Sequence, residues 1–156
     1  MAASDLVVLM STKTGEVQRY LVTVDMHESL PYYQDDIYSP EDAPKGAWLY
    51  ESCRSPSQPI GRLLTDSLPE HIEVCPWDKI YDDICDGGVI AFSPDTTGHA
   101  ELNEPTSLEG YLFEYYTDHA FTLETPTGWK LEKRIEAQRH FLTTILETYQ
   151  SRLASK

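Results

Sequence analysis

The segment that most restricts what this chain can fold into is its last one. From about Gly128 to Leu153, the residues Leu131, Ile135, Leu142, Ile145, Leu146, Tyr149 and Leu153 recur at helical spacing, which predicts one long amphipathic helix with an apolar stripe to bury. Thr125-Pro126 supplies a start, because proline is tolerated in a first helical turn. Glu132, Glu136, Lys133 and Arg139 decorate the remaining faces. A helix of this kind needs a surface to lie on, and the rest of the chain offers β-like segments.

Leu6 to Ser11 and Val17 to Asp25 flank Lys13-Thr14-Gly15-Glu16, the pattern of a hairpin. Trp48-Leu49-Tyr50 reads as a short strand, His71 to Cys75 alternates like one, and Val89 to Phe92 reads as a core strand. Between Arg54 and Pro69 only a helical turn around Leu63-Leu64 is expected. Trp77 to Cys85 reads as a short helix closed by Gly87 or Gly88. Tyr111, Phe113 and Tyr115 fall at period two, like Phe121 and Leu123, and read as a second hairpin. A helix from Ser107 to Tyr116 is the competing reading, since Leu108 and Leu112 also fit helical spacing. Together these segments predict one α+β domain over residues 1–156: a mostly antiparallel sheet packed by the long C-terminal amphipathic helix.

Length agrees, since a chain of 156 residues can bury a sizeable core. No stretch approaches the ~18 consecutive apolar residues of a membrane-spanning helix, and Met1 to Asp5 lacks the basic region of a secretory leader. Three cysteines, Cys53, Cys75 and Cys85, fit a reducing compartment, so a cytoplasmic protein is the expectation.

The formal charge is −14. Such a chain repels phosphate backbones and acidic lipid surfaces, so neither direct nucleic-acid binding nor membrane binding is expected. The charge is uneven: from Lys130 onward the chain carries +3, which leaves −17 on the first 129 residues. The acid sits in the body, not in the helix.

Motifs for chemistry are sparse. His-Glu-x-x-His, Gly-x-Ser-x-Gly and phosphate-binding glycine loops are missing. Cys75 and Cys85 with His71 and His99 could make a zinc site on paper, but no Cys-x-x-Cys exists and buried thiols explain them better. Cys85 before Asp86-Gly87-Gly88, with His99 or His119 as base, is the one candidate nucleophile. The adjacent acids Asp35-Asp36, Glu41-Asp42 and Asp82-Asp83 read as solvated surface. Neither a metal nor another cofactor is expected.

The segment Pro31 to Tyr50 gathers aromatic and acidic residues, and its prolines make it a long loop. Tyr32, Tyr33, Tyr38 and Trp48 would anchor a protein partner, while Asp35, Asp36, Glu41 and Asp42 would steer a basic one. In composition alone the chain is similar to the immunity proteins, small acidic inhibitors of basic nuclease toxins. The resulting expectation is a non-catalytic acidic inhibitor or immunity-type protein that neutralises a basic partner, a toxin or a nucleic-acid-binding enzyme. A cysteine enzyme built on Cys85, and an assembly subunit docking through Leu131, Ile135, Leu142 and Leu146, are the alternatives.

Overall fold

The computed structural model describes residues 8–12, 19–29, 43–54, 59–81, 83–92 and 107–155. In chain order the elements are β1 (Val8–Thr12), β2 (Arg19–Ser29), β3 (Trp48–Cys53), α1 (Gly61–Asp66), β4 (Lys79–Ile80), β5 (Asp83–Ile84), β6 (Val89–Phe92), α2 (Leu108–Tyr115), β7 (His119–Pro126) and α3 (Leu131–Ala154). Five strands make one sheet in the order β1-β2-β7-β3-β6, and β4 with β5 forms a separate ribbon. The α+β class and the C-terminal helix lying on the sheet are as the sequence predicts. The pairings divide evenly: β1/β2 and β3/β7 are antiparallel, β2/β7 and β3/β6 parallel.

Because side chains alternate along a strand, register assigns each residue to a face. Val22, Val24, Leu49, Phe121 and Leu123 point to one face and form the main core with Ala137, Phe141, Ile145 and Tyr149 of α3. On α3 the buried residues are Ala137, Gln138, Phe141, Ile145 and Tyr149. Leu131, Ile135 and Leu153 stay exposed, so the covered face is rotated from the one that leucine and isoleucine alone suggest. Gln138 explains part of the rotation, its amide reaching the carbonyls of His27 and Leu123.

The other face carries Thr23, Asp25, His27, Glu124, Thr122, Trp48, Tyr50 and Ser52, as the pairings Thr23↔Ala120, Asp25↔Thr122, His27↔Glu124, Trp48↔Glu124, Tyr50↔Thr122 and Ser52↔Ala120 require. Trp48 joins Ile90, Cys75, Cys85 and Ile80 in a second apolar cluster at its β6 end.

Three local expectations differ from the structure. Residues 108–115 are helix, because the Ser107 side chain caps the first turn by accepting from the Gly110 amide, and Glu109 rather than an aromatic turns inward. Lys79–Ile80 and Asp83–Ile84 form the β4/β5 ribbon in place of the expected helix; Tyr81 takes the left-handed φ of 49°, and the Cys85 amide closes on the Asp78 carbonyl at 2.9 Å. Residues 71–75 contribute only an isolated bridge between Val74 and Ala47. No helix among the described residues is long and apolar enough to cross a membrane.

Candidate functional site

The polar face is where the sheet departs from what packing alone would choose. Carboxylates buried away from water are costly unless hydrogen-bonded or paired, yet Asp25, Glu109 and Glu124 are at least nine-tenths buried there. Residues from β2 and β7 build its centre. His27 Nε2 lies 3.1 Å from Asp25 Oδ2, and its Nδ1 lies 3.9 Å from Glu124 Oε1. The shorter contact assigns the proton to Nε2, which donates to Asp25 and leaves the Nδ1 lone pair facing Glu124. On the far side of Glu124, Ser29 Oγ donates to Oε2 at 3.0 Å and itself accepts from Trp48 Nε1 at 3.0 Å. A chain of groups, Trp48, Ser29, Glu124, His27 and Asp25, thus runs across three strands.

Burial dominates the electrostatics of this chain. It pushes the Glu124 carboxyl up to about 7, outweighing the opposing pull of the Ser29 hydrogen bond and of His27. Desolvation also raises Glu109, whose remaining help is a hydrogen bond with Ser52, and it raises the Tyr50 hydroxyl. The His27 side chain is 43% exposed, whereas that of Glu124 is 11% exposed. Solvent therefore reaches the imidazole, and the acid sits behind it.

A second polar constellation lies on the α3 face. His119 Nε2 donates to Glu51 Oε1 at 2.7 Å, and its Nδ1 accepts from the Tyr149 hydroxyl. Glu51 also accepts from the amides of Ile60 at 2.7 Å and Gly61 at 2.9 Å. Every one of these groups is buried and partnered, so the arrangement ties β3, β7, α1 and α3 together and exposes no atom for chemistry.

The residues singled out in the sequence fare differently. Trp48 is 1% exposed with its ring nitrogen bonded to Ser29, so it packs the interior instead of presenting a contact surface. Tyr32, Tyr33, Asp35, Asp36, Tyr38, Glu41 and Asp42 lie outside the described residues, as do His99 and Asp82. Cys85 is 3% exposed, and burial pushes its thiol up to about 11. It sits in the cluster of Trp48 and Ile90, while His119 faces α3 on the opposite side of the sheet, so the two never form a nucleophile and base. His71 is an exposed partner of Glu136, away from the buried Cys75 and Cys85. Asp25, His27 and Ser29 on β2 and Glu124 on β7 carry a signal in the sequence, polar residues at period two on strands that bury apolar ones, whereas Glu109 lies on α2 and carries no such signal.

No protein-family model matches the chain. No curated protein matches it by sequence either. Solved structures do share its fold. A protein from Shewanella amazonensis SB2B, described as a "putative metallopeptidase", aligns with a TM-score of 0.58 at 18% identity over 82% of this chain and 40% of its own. Proteins of the same description from Shewanella denitrificans OS217 (TM-score 0.54, 17% identity, 77% and 38% covered) and Shewanella baltica OS155 (0.51, 18%, 79% and 40%) align likewise. The chain spans about two-fifths of the length of these proteins. At such identity the likeness concerns fold.

These neighbours overturn the expectation of an acidic inhibitor or immunity-type protein, because the fold recurs in proteins described as peptidases. Their description implies a metal centre of several His, Cys, Asp or Glu ligands, and the described residues do not supply one. Among them no three His, Cys, Asp or Glu side chains converge on one point as a metal ion requires. Asp25 and Glu124 address opposite nitrogens of His27, so the three surround an imidazole and not an ion.

Proposed function

We propose that the chain is a hydrolase-type domain whose acid–base centre is His27 with Glu124, oriented by Asp25, and that it acts on a peptide or related acyl compound. The observation that carries this reading is the placement of one half-exposed imidazole between two buried carboxylates, with Nε2 toward Asp25 and Nδ1 toward a carboxyl that can hold a proton near neutral pH. Asp25 fixes the ring and its tautomer. Nδ1 accepts a proton from an attacking water, and the neutral Glu124 carboxyl donates one to the leaving group; a positioned acid or base of this kind contributes typically 10²–10⁴-fold. Ser29 and Trp48 hold Glu124 in place. The peptide class comes from the description of the Shewanella proteins and from nothing else in the chain.

The test is hydrolysis of a fluorogenic peptide library and of simple esters between pH 5 and 8, by the natural chain and by His27→Gln and Glu124→Gln, each checked for folding by circular dichroism. Turnover that drops at least a hundredfold in both variants supports the reading. Turnover that survives both, or its absence from the natural chain on every substrate, overturns it.

A further inference from the structure

Beside the His27–Glu124 pair the same face holds three side-chain oxygens with no hydrogen-bond partner among the described residues: Thr23 Oγ1, Asp25 Oδ1 and Glu109 Oε1. Their residues are 1%, 3% and 7% exposed, so water does not satisfy them freely, and buried polar atoms are normally bonded. They are also neighbours. Thr23 and Asp25 are alternate residues of β2 and project to one face, paired with Ala120 and Thr122 of β7. Glu109 reaches that face from α2, where its side chain hydrogen-bonds with Ser52, the residue paired with Ala120, and it feels the charge of Asp25.

We infer that Thr23, Asp25 and Glu109 form a binding site for a divalent cation that prefers oxygen ligands, with Ca²⁺ as the first probe. Charge decides it. Arg19, Arg54, Arg62 and Arg134 are paired with Asp118, Glu114, Asp66, Asp86 and Glu28, whereas among the described residues Asp25 is bonded to the Nε2–H of His27 and Glu109 to Ser52, and no arginine or lysine is paired with either. Two carboxylates and a hydroxyl, all oxygen and held by a rigid strand and a capped helix, suit a hard cation that completes its shell with carbonyls or water. This differs from the peptidase-type metal centre considered above, which needs three strong ligands around one point. The site adjoins the proposed acid–base centre and shares Asp25 with it, Oδ1 serving the cation while Oδ2 holds His27.

The experiment uses the whole chain stripped with EDTA and titrated with Ca²⁺ at pH 7.5, reading thermal melting, and with Tb³⁺, reading luminescence sensitised by the neighbouring Trp48 and Tyr50. Saturable Tb³⁺ emission that Ca²⁺ displaces, with a rise in melting temperature, is expected. Glu109→Gln should weaken affinity at least tenfold, Thr23→Val less, and His27→Gln little, which separates this site from the acid–base centre. Equal titration curves for the natural chain and Glu109→Gln, or no saturable response in the natural chain, would overturn the inference. Because Glu109→Gln is isosteric and Thr23→Val uncharged, the result does not hang on one variant folding.

Discussion

Val24 and Asp25 are consecutive residues of one strand, buried to 1% and 3%, and they act on the protein in opposite ways. Val24 meets Phe121 beneath α3, where burial removes apolar surface from water at about 25 cal/mol per Å². Asp25 faces the other side, where its carboxylate meets His27. The contrast extends to the carboxylates themselves. Glu51, on the α3 face, accepts hydrogen bonds from two amides and an imidazole, whereas Asp25 and Glu109 each leave one oxygen without a partner among the described residues. One face of the sheet is built for stability; the other tolerates a local loss of it. Such losses concentrate where side chains are arranged for binding or catalysis.

The comparison breaks first if the α3 face does not carry the stability. Phe141 is fully buried among Val22, Phe121 and Leu123, so Phe141→Ala should lower the unfolding free energy by about 3–5 kcal/mol, the usual cost of an aromatic deletion with its cavity. Urea denaturation followed by tryptophan fluorescence measures it. A loss below about 1 kcal/mol would mean that the core is elsewhere.

Next in size is the reversal expected on the polar face. The Glu124 carboxyl is raised to about 7 from its ordinary 4.5, so between those values the native state binds more protons than the unfolded chain. Stability from this group is therefore present below pH 4.5 and is lost as pH rises to about 7. A shift of this size corresponds to about 3 kcal/mol at pH 8. Glu124→Gln removes the ionisation, so its stability relative to the natural chain should climb by up to that amount from pH 5 to pH 8. A difference that stays flat across that range would show that Glu124 ionises freely in the folded state.

Much of the fold was legible in the sequence because it follows from period. The hairpin of β1 and β2, the strand at Trp48, the core strand Val89–Phe92 and the C-terminal helix all announce themselves by apolar spacing. The misread segments are short and held by contacts beyond their own windows: the α2 turn capped by Ser107, and the β4/β5 ribbon turned by Tyr81 in a left-handed conformation. The parallel pairing of β2 with β7 joins segments about a hundred residues apart. Local pattern has no access to such a pairing. The site fails for the same reason, since Asp25 and Glu124 meet only through it. Composition points instead to the aromatic and acidic segment Pro31 to Tyr50 and to Cys85, whose glycine neighbours Gly87 and Gly88 take positive φ in a tight turn.

A smaller effect should separate a satisfied polar group from an unsatisfied one. The Tyr149 hydroxyl donates to His119 Nδ1 inside the α3 face, and burial holds its proton by raising the phenol. Tyr149→Phe leaves that nitrogen without its donor, which should destabilise by about 1–3 kcal/mol at every pH where the protein folds. Neutralising a carboxyl across the sheet stabilises, and deleting this hydroxyl does not. Equal stability in the natural chain and the phenylalanine variant would place the His119 constellation on the same footing as the polar face.

The smallest expected effect tests how α3 lies on the sheet. By sequence, Ile135 belongs to the apolar stripe; in the fold it is 56% exposed, and Gln138 is buried at 7% exposure. Helix position alone would assign these two residues the reverse roles. Surface substitutions away from caps and networks change stability by no more than about 0.5 kcal/mol, so Ile135→Gln should be nearly silent in urea denaturation. Gln138→Leu, although more apolar, should be worse, because it strips the carbonyls of His27 and Leu123 of a donor that joins α3 to β2 and β7. If Ile135→Gln proved the more costly of the two, the helix would be turned on its axis toward its leucines, and the polar residue that now ties it to the sheet would face out.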